Sequence, residues 1–479
     1  MGMRVDKQGS RWKRKEGLFL ILTLCFLFNV TVLFAKSTVP ITSQHVDLKL
    51  LLPHLLQIDN RIKAAEYELT ASYHGVDEEK AKWLPAVNLT GFTGNQDRHT
   101  PTGDTDVGYN QETAKVTQLI YDFGKTRSAI IGAKEVYQQK KLDLEGVRQQ
   151  VLLEGATAYL NLLGANKNLN YAQYNENNVI EQLEMELKRV KTGSGYSTDV
   201  LEAEAQLQGA KARVVRAEGQ LIITKNNFSR IFKEPPFLVE TFRQPTLPKQ
   251  MPNSEEEAVQ IAMRHNPEIL NLYYEVAIAK QEVKSSKAEF FPKIDAIYEA
   301  KRKWNVDGVL GEQEERDAKV DLNYPIFSGG GGLAAMHAAA NNLEAAEQEL
   351  YNQELVVEEE VRNDWDALRT SKENALFLKK QATTLKRFLE LAMKERQLGR
   401  KSLLELLVAD TNYVDALSAA IASRVNVSIT GYKLLKDMGI LNVEMFIRSS
   451  GYVKHPPILH YRKFGKRKNL LVPKINVKK

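Results

Sequence analysis

The chain states one plan twice. Gln118-Leu119-Ile120-Tyr121-Asp122-Phe123-Gly124 returns as Tyr324-Pro325-Ile326-Phe327-Ser328-Gly329-Gly330, which sets Gly124 against Gly330, 206 positions on. Gly193, after Arg189-Val190-Lys191-Thr192, answers Gly399, after Glu395-Arg396-Gln397-Leu398, again 206 positions on. Pro85 in Trp83-Leu84-Pro85 answers Pro292 in Phe290-Phe291-Pro292 at a spacing of 207. A near-constant offset at three landmarks marks an internal duplication, so the fold must be built from two equivalent units. The units read as 45–232 and 253–440, joined by a proline-rich linker, Lys233 to Pro252.

Within each unit the longest feature is a proline-free stretch between two glycines, Gly124 to Gly193 and Gly330 to Gly399, rich in Ala, Leu, Glu, Gln and Lys. Leu142, Leu144, Val147, Val151, Leu152 and Ala156 recur at helical spacing. A helix of about 68 residues is ~100 Å long at 1.5 Å per residue. It outruns any globular core and needs partner helices along its flank. After each terminal glycine a return helix is expected, Ser197 to Phe232 and Ser402 to Lys436. A third helix of each unit is expected from His45 to Trp83 and from Ser254 to Phe291, the latter opened by the capping signal Ser254-Glu255-Glu256-Glu257. Return and third helices, laid end to end, roughly match the long one.

Two short segments separate the third helix from the long one. They read as strands at 86–96 and 112–122 in the first unit and at 293–303 and 316–327 in the second. A polar loop with Asp97, Pro101, Gly103, Asp104 and Asp106 is expected between the first pair. Val320, Leu322 and Tyr324 alternate with Asp321 and Asn323, which is strand periodicity. Lengths near eleven suit tilted membrane strands. Four strands cannot close a barrel, and open strand edges are not viable in lipid. Either the protein is soluble or it closes the sheet by oligomerising.

The ends carry the charge. Arg4, Lys7, Arg11, Lys13, Arg14 and Lys15 precede an apolar run from Leu18 to Ala35, a pattern of a signal peptide over 1–35, with an uncleaved anchor as the alternative. The single cysteine, Cys25, lies inside that run, and Leu24 before it argues against lipid attachment. The remaining chain can form no disulfide and must be held by packing or assembly. The net charge of +6 conceals a tail, 441–479, with ten basic residues and only Glu444 acidic. That leaves a mildly acidic body. The basic tail reads as a flexible, solvated extension rather than a nucleic-acid surface.

The ordered set of helix, strand pair, long helix and return helix, given twice, resembles the TolC-like outer-membrane efflux proteins. The residues that carry the resemblance are Leu119-Ile120-Tyr121-Asp122-Phe123-Gly124, Pro325-Ile326-Phe327-Ser328-Gly329-Gly330, Gly193 to Leu207, and Leu398-Gly399-Arg400-Lys401-Ser402-Leu403-Leu404-Glu405-Leu406-Leu407. The resemblance implies a mixed α and β fold in a homotrimer, with four strands per protomer and twelve in the membrane barrel. A helical tunnel would extend into the periplasm, and the linker 233–252 would sit at its equator. It implies outer-membrane lipid, a periplasmic adaptor and an inner-membrane ABC or proton-driven exporter as partners. Tyr121-Asp122-Phe123-Gly124-Lys125-Thr126 looks most like members serving type I secretion of proteins or adhesins; drug or metal efflux is the alternative.

The resemblance also nominates site residues. Gly193 and Gly399 would be the turns at the periplasmic mouth, and Gly124, Gly329 and Gly330 the strand-to-helix joints. Glu405 matches the first carboxylate of a closed entrance, Val408 departs from the second, and Asp410 lies close by. Lys401 matches a basic residue of the closed state and Asp199 its acidic partner. Arg396 replaces a residue that is usually aromatic. By its residues alone, Ser402-Leu403-Leu404-Glu405 is equally a helix-capping box, and both roles can coexist. Three carboxylates gathered by symmetry would favour cations.

Catalytic signals are absent. Gly124-Lys125-Thr126 resembles the end of a phosphate-binding loop, but Leu119 stands where that motif needs glycine. The eight histidines show no metal-ligand spacing, and His337 on an Ala-rich helix reads as a packing residue. No cofactor, metal or nucleic acid is expected. A coiled-coil surface or scaffold protein would explain the helices but not the strand pairs.

Overall fold

A computed structural model describes residues 48–447, apart from 102, 238, 240, 241, 249, 250, 307 and 308. The expected leader with Cys25, and the chain beyond Ile447, lie outside the described residues.

The first unit runs α1 (Leu48–Ile58), α2 (Asn60–Ala81), β1 (Ala86–Thr100), β2 (Gly103–Tyr121), α3 (Lys125–Lys191) and α4 (Ser197–Phe232). The second repeats it as α5 (Glu255–His265), α6 (Pro267–Ala288), β3 (Lys293–Trp304), β4 (Glu312–Asn323), α7 (Gly331–Gln397) and α8 (Leu403–Asp437), followed by a single turn, α9 (Glu444–Ile447). α3 and α7 have 67 residues each, ~100 Å of unbroken helix. Both start from a left-handed glycine, Gly124 at φ 93° and Gly330 at φ 82°, a conformation that side chains other than glycine's disfavour. At the first joint the Asp122 carboxylate completes the start of α3, accepting the Thr126 amide at 2.7 Å and its hydroxyl at 2.5 Å.

The expected third helices are each broken. Asn266 stands in extended conformation, and its side chain accepts from the amides of Glu268 (2.8 Å) and Ile269 (3.3 Å), starting α6 afresh with Pro267 in the first turn. Proline has no amide to donate and forces the preceding residue out of the helical region. The same break recurs 207 positions earlier, where Asp59 caps α2 through the Arg61 amide at 2.8 Å.

The four strands form one antiparallel sheet in the order β1-β2-β3-β4. The central pairing joins the two units, Asn110 opposite Trp304 through Leu119 opposite Asp295. Two strand expectations need correction. The presumed loop around Asp97, Asp104 and Asp106 is paired strand, with Asp97 opposite Asp106 and His99 opposite Asp104. The chain reverses only at Pro101–Gly103, because Gly103 at φ 143° supplies the tight turn. β4 starts at Glu312 and stops at Asn323 rather than reaching Phe327, since Pro325 cannot donate to a ladder.

The main apolar core sits at mid-height. It packs Leu48, Leu52 and Leu55 of α1 on Val151–Leu163 of α3 and on Tyr432, Leu434 and Leu435 of α8. The linker after α4 joins it: Phe242 stacks on Tyr159 at 4.6 Å, and the Tyr159 hydroxyl donates to the Arg243 carbonyl at 2.8 Å. The start of the expected flexible tail is also part of this core. Leu441, Met445 and Phe446 are buried, with the Phe446 ring 4.8 Å from that of Tyr432.

Beside this core, two buried carboxylates meet. Lys433 Nζ donates to Asp364 Oδ1 at 2.5 Å, and Lys436 Nζ lies 2.9 Å from Asp437 Oδ1. Burial and the adjoining Asp437 carboxylate push Asp364 up to about 7. Asp437 is also buried, but the hydrogen bond with Asp364 and Lys436 hold it below the usual range. The pair thus carries one proton. An acid whose folded value is raised adds stability that is complete below its unfolded value and drains away as pH climbs through the folded value. For Asp364 that window runs from about 4 to about 7. Replacing it with asparagine removes the titration but keeps the shape. The melting advantage of Asp364→Asn over wild type should therefore grow between pH 5 and pH 8 in thermal unfolding scans, and equal offsets at both values would refute the shared proton.

Candidate functional site

Two regions concentrate chemistry: the faces of the sheet, and the helical turns at the opposite end of the long helices.

On the sheet, alternate residues divide into a mainly apolar and a mainly polar face. One face carries Val87 and Leu89, Val116, Ala296 and Tyr298, and Val320 and Leu322. Val116 and Ala296 are half-buried and the others are exposed, Leu89 at 80% and Val320 at 71%. The other face is polar and ion-paired: Lys293 with Asp295 at 2.9 Å, Lys301 with Glu299 at 3.0 Å, Lys303 with Glu315 at 2.8 Å. A water-soluble sheet would bury the apolar face and show the charged one. This arrangement is the inverse, the signature of strands that face lipid outward and water inward. Charge returns to the apolar face at its far end, where Arg302 pairs with Glu312. At the near end, Phe123 stacks on Phe291 at 5.1 Å, an aromatic margin before the helices begin. Among the described residues no helix is long and apolar enough to cross a membrane.

At the helical turns both units use one device. The Ser194 amide donates to the Arg189 carbonyl and the Arg400 amide to that of Glu395, each at 2.9 Å. Gly193 (φ 75°) and Gly399 (φ 70°) take the left-handed position that this six-to-one closure requires. The return helices then differ. α8 begins with a complete capping box: the Ser402 hydroxyl accepts the Glu405 amide at 3.3 Å and Glu405 accepts the Ser402 amide at 2.9 Å. α4 begins at Tyr196 with no side-chain cap.

The nominated residues fall in three settings. Glu405 is exposed, and the Ser402 amide, with its hydroxyl, holds the carboxyl below the usual range. Leu404 and Val408 share its exposed side of α8, while Leu403 and Leu407 turn inward onto Val179 and Leu207. Asp410 is not beside Glu405. It is buried against α3, accepting from Asn175 at 2.6 Å and Asn178 at 2.9 Å. Burial raises its carboxyl despite those donors. Lys401 does not meet Asp199 within the chain. Its ammonium lies 4.4 Å over the Phe388 ring and 3.6 Å from Glu395.

The cation near Asp199 is Arg396, at 3.6 Å. Arg396 also donates to Glu186 Oε1 at 2.5 Å and to the Lys401 carbonyl at 3.2 Å. One guanidinium therefore joins α3, α4 and the α7–α8 turn. Its substitution for an aromatic residue was visible in the sequence as a departure. Glu186 was not, because nothing distinguishes one glutamate on a glutamate-rich helix until a partner 210 positions away is known. Among the described residues no cluster of metal-ligating side chains occurs.

Comparison with known proteins agrees with this geometry. The sequence model of the family described as "Outer membrane efflux protein" matches residues 51–232 and again 258–439. The chain is 22% identical over 355 residues to the outer membrane efflux protein BepC of Brucella suis, covering 73% of this chain and 75% of that protein. It is 26% identical over 211 residues to the alkaline protease secretion protein AprF of Pseudomonas aeruginosa, covering 42% and 43%. The solved structure of the outer-membrane channel OprN superposes with a TM-score of 0.70 at 18% identity, over 82% of this chain and 89% of that one. With both units matched and the inverted sheet in place, the chain belongs to the outer membrane efflux protein family, the channel proteins of the outer membrane.

Proposed function

We propose that this channel is a homotrimer serving type I secretion of a polypeptide, fed by an inner-membrane ABC exporter through a periplasmic adaptor. The observation that carries the trimer is the four-stranded sheet with a lipid-type face and two outer edges without a neighbour in the chain. Three copies give twelve strands, enough to close a barrel, where four cannot. The long helices would then form a tunnel of ~100 Å, with the linker 233–252 near its equator. The likeness to a protease secretion protein, 26% identical over 42% of this chain, supports polypeptide cargo. The ion-paired lumen face fits that cargo, offering water and balanced charge rather than an apolar surface to cling to.

The turns at Gly193 and Gly399 would form the periplasmic mouth. Glu405, with its exposed neighbours Leu404 and Val408, is the carboxylate in this proposal that lines the constriction. Asp410 serves instead as a buried tie between α8 and α3. Arg396 is the clasp that keeps the α7–α8 turn against α3 and α4.

Three tests follow. Deleting the gene should remove a specific large polypeptide from the culture medium and leave drug susceptibility unchanged; the opposite pattern would transfer the assignment to drug efflux. Glu405→Ala should lower the cation selectivity of single channels in planar bilayers, and unchanged reversal potentials would remove Glu405 from the constriction. Arg396→Ala leaves Glu186 with Arg189, at 3.2 Å, as its remaining cation and frees the α7–α8 turn from α3 and α4. Open probability should rise several-fold, and a channel with unaltered gating would exclude the clasp.

A further inference from the structure

The duplication predicts how two copies meet. Within the chain, the hairpin of the first unit meets that of the second through one defined strand register, with Asn110 opposite Trp304, Thr113 opposite Lys301 and Lys115 opposite Glu299. The hairpins themselves certify the equivalence of the units. β1 pairs with β2 as Ala86 opposite Thr117, and β3 with β4 as Lys293 opposite Asn323. A shift of 207 carries β1 onto β3, and 206 carries β2 onto β4, with each pairing preserved. The same shifts convert the in-chain contact between units into a contact between β4 of one copy and β1 of the next.

We infer that a second copy of this chain adds its β1 to the free edge of β4 in the register that places Arg316 opposite Asp97 and Lys319 opposite Gly94. This rests on the trimeric channel proposed above and specifies its seam. The argument from equivalence gains an independent support in charge. Continued by one residue, the register sets Glu315 opposite Arg98, and by one more, Glu314 opposite His99. Opposite charges directly across an antiparallel pair are stabilising and like charges are not. A slip of one residue would turn the apolar face of one strand toward water. A slip of two keeps the faces but sets Arg316 opposite Asn95 or His99, losing its acidic partner. In its own hairpin Asp97 lies opposite Asp106, a like-charge pair that an arginine on the other side would relieve.

The register also accounts for the length of β1. Its partner β2 pairs with β3 only from Asn110 inward, yet β1 continues to Thr100. In the proposed seam those outer residues, Gly94–Thr100, lie along Gln313–Lys319 of the neighbouring copy. At the joint below, Phe123 stacks on Phe291 within the chain, the rings 5.1 Å apart. At the second joint Phe327 answers Tyr121 and Gly329 answers Phe123, so the ring stack is not repeated there; Phe327 and the adjoining Ile326 are 85% and 86% exposed, and Leu84, which answers Phe291, is 65% exposed. These apolar surfaces would meet across the seam.

Cysteine pairs test the register in native outer membranes. Ala318→Cys with Asn95→Cys, and the adjacent pair Asp317→Cys with Gln96→Cys, place cysteines directly opposite each other. Cα separations of about 4.5–5.5 Å across such a pair lie within disulfide reach. Ala318→Cys with Thr93→Cys, or with Asp97→Cys, tests slips of two residues on the same face. After oxidation, denaturing gels without reductant should show a covalent trimer for at least one in-register pair, at about tenfold the yield of either slipped pair. As a second measurement, Arg316→Glu should lower the temperature at which the trimer dissociates in detergent, and adding Asp97→Arg should restore it. Preferential cross-linking of a slipped pair, or no cross-link in a chain that fractionates with the outer membrane, overturns the register and leaves the channel standing. A chain recovered as a soluble monomer overturns both.

Discussion

A strand in lipid has nowhere to put an unused hydrogen bond, and that constraint governs the whole molecule. Helices satisfy their backbone internally; sheets do so only by closing. Here the sheet has an apolar outer face and two edges that end on nothing in the same chain. Every other feature is compatible with solving that problem by assembly. The duplication supplies a unit that can be repeated around an axis, and the absence of cysteine in the described part means that no covalent brace replaces packing.

Stability along the long helices is unevenly distributed. At mid-height α3 is clamped in a dry core by α1, α8 and the segments flanking them. Toward the turns the same helix is held by buried polar contacts, Asn175 and Asn178 on Asp410, and Glu186 on Arg396. Polar contacts of this kind are strong only while every partner is in place, and Glu186 Oε2 and Arg396 Nε have none. A firm waist with conditional contacts below it is the distribution expected of a part that must move at one end and stay fixed at the other.

Periodicity and punctuation made most of the fold legible. The two 67-residue helices followed from the spacing of glycines and the lack of proline, and the turn glycines from their positions. Errors gathered where local punctuation was outweighed or overlooked. Asn266-Pro267 is a break written in the sequence, because proline disfavours helix both at itself and at the residue before it. The acidic run Asp97 to Asp106 looked like a loop by composition, and only the pairing across Gly103 made it strand. The candidate site was less legible. Asp410 and Glu405 lie five positions apart and look alike, yet a helix turns one into the protein and the other out of it. The partner of Arg396 could not be guessed, because a long-range contact leaves no trace in a single sequence.

The two spacings, 207 before the hairpin tips and 206 after them, differ by one residue. Within a strand, that residue would need a bulge, as between Leu119 and Tyr121, or would exchange lipid-facing side chains for water-facing ones beyond it. At a tip it is harmless, and the first hairpin also reverses over two residues where the second uses seven. The tips are thus the places where this lineage can lengthen or shorten without redesigning anything below. The surface turned to the outside world can drift quickly, while the wall that carries it must keep its count.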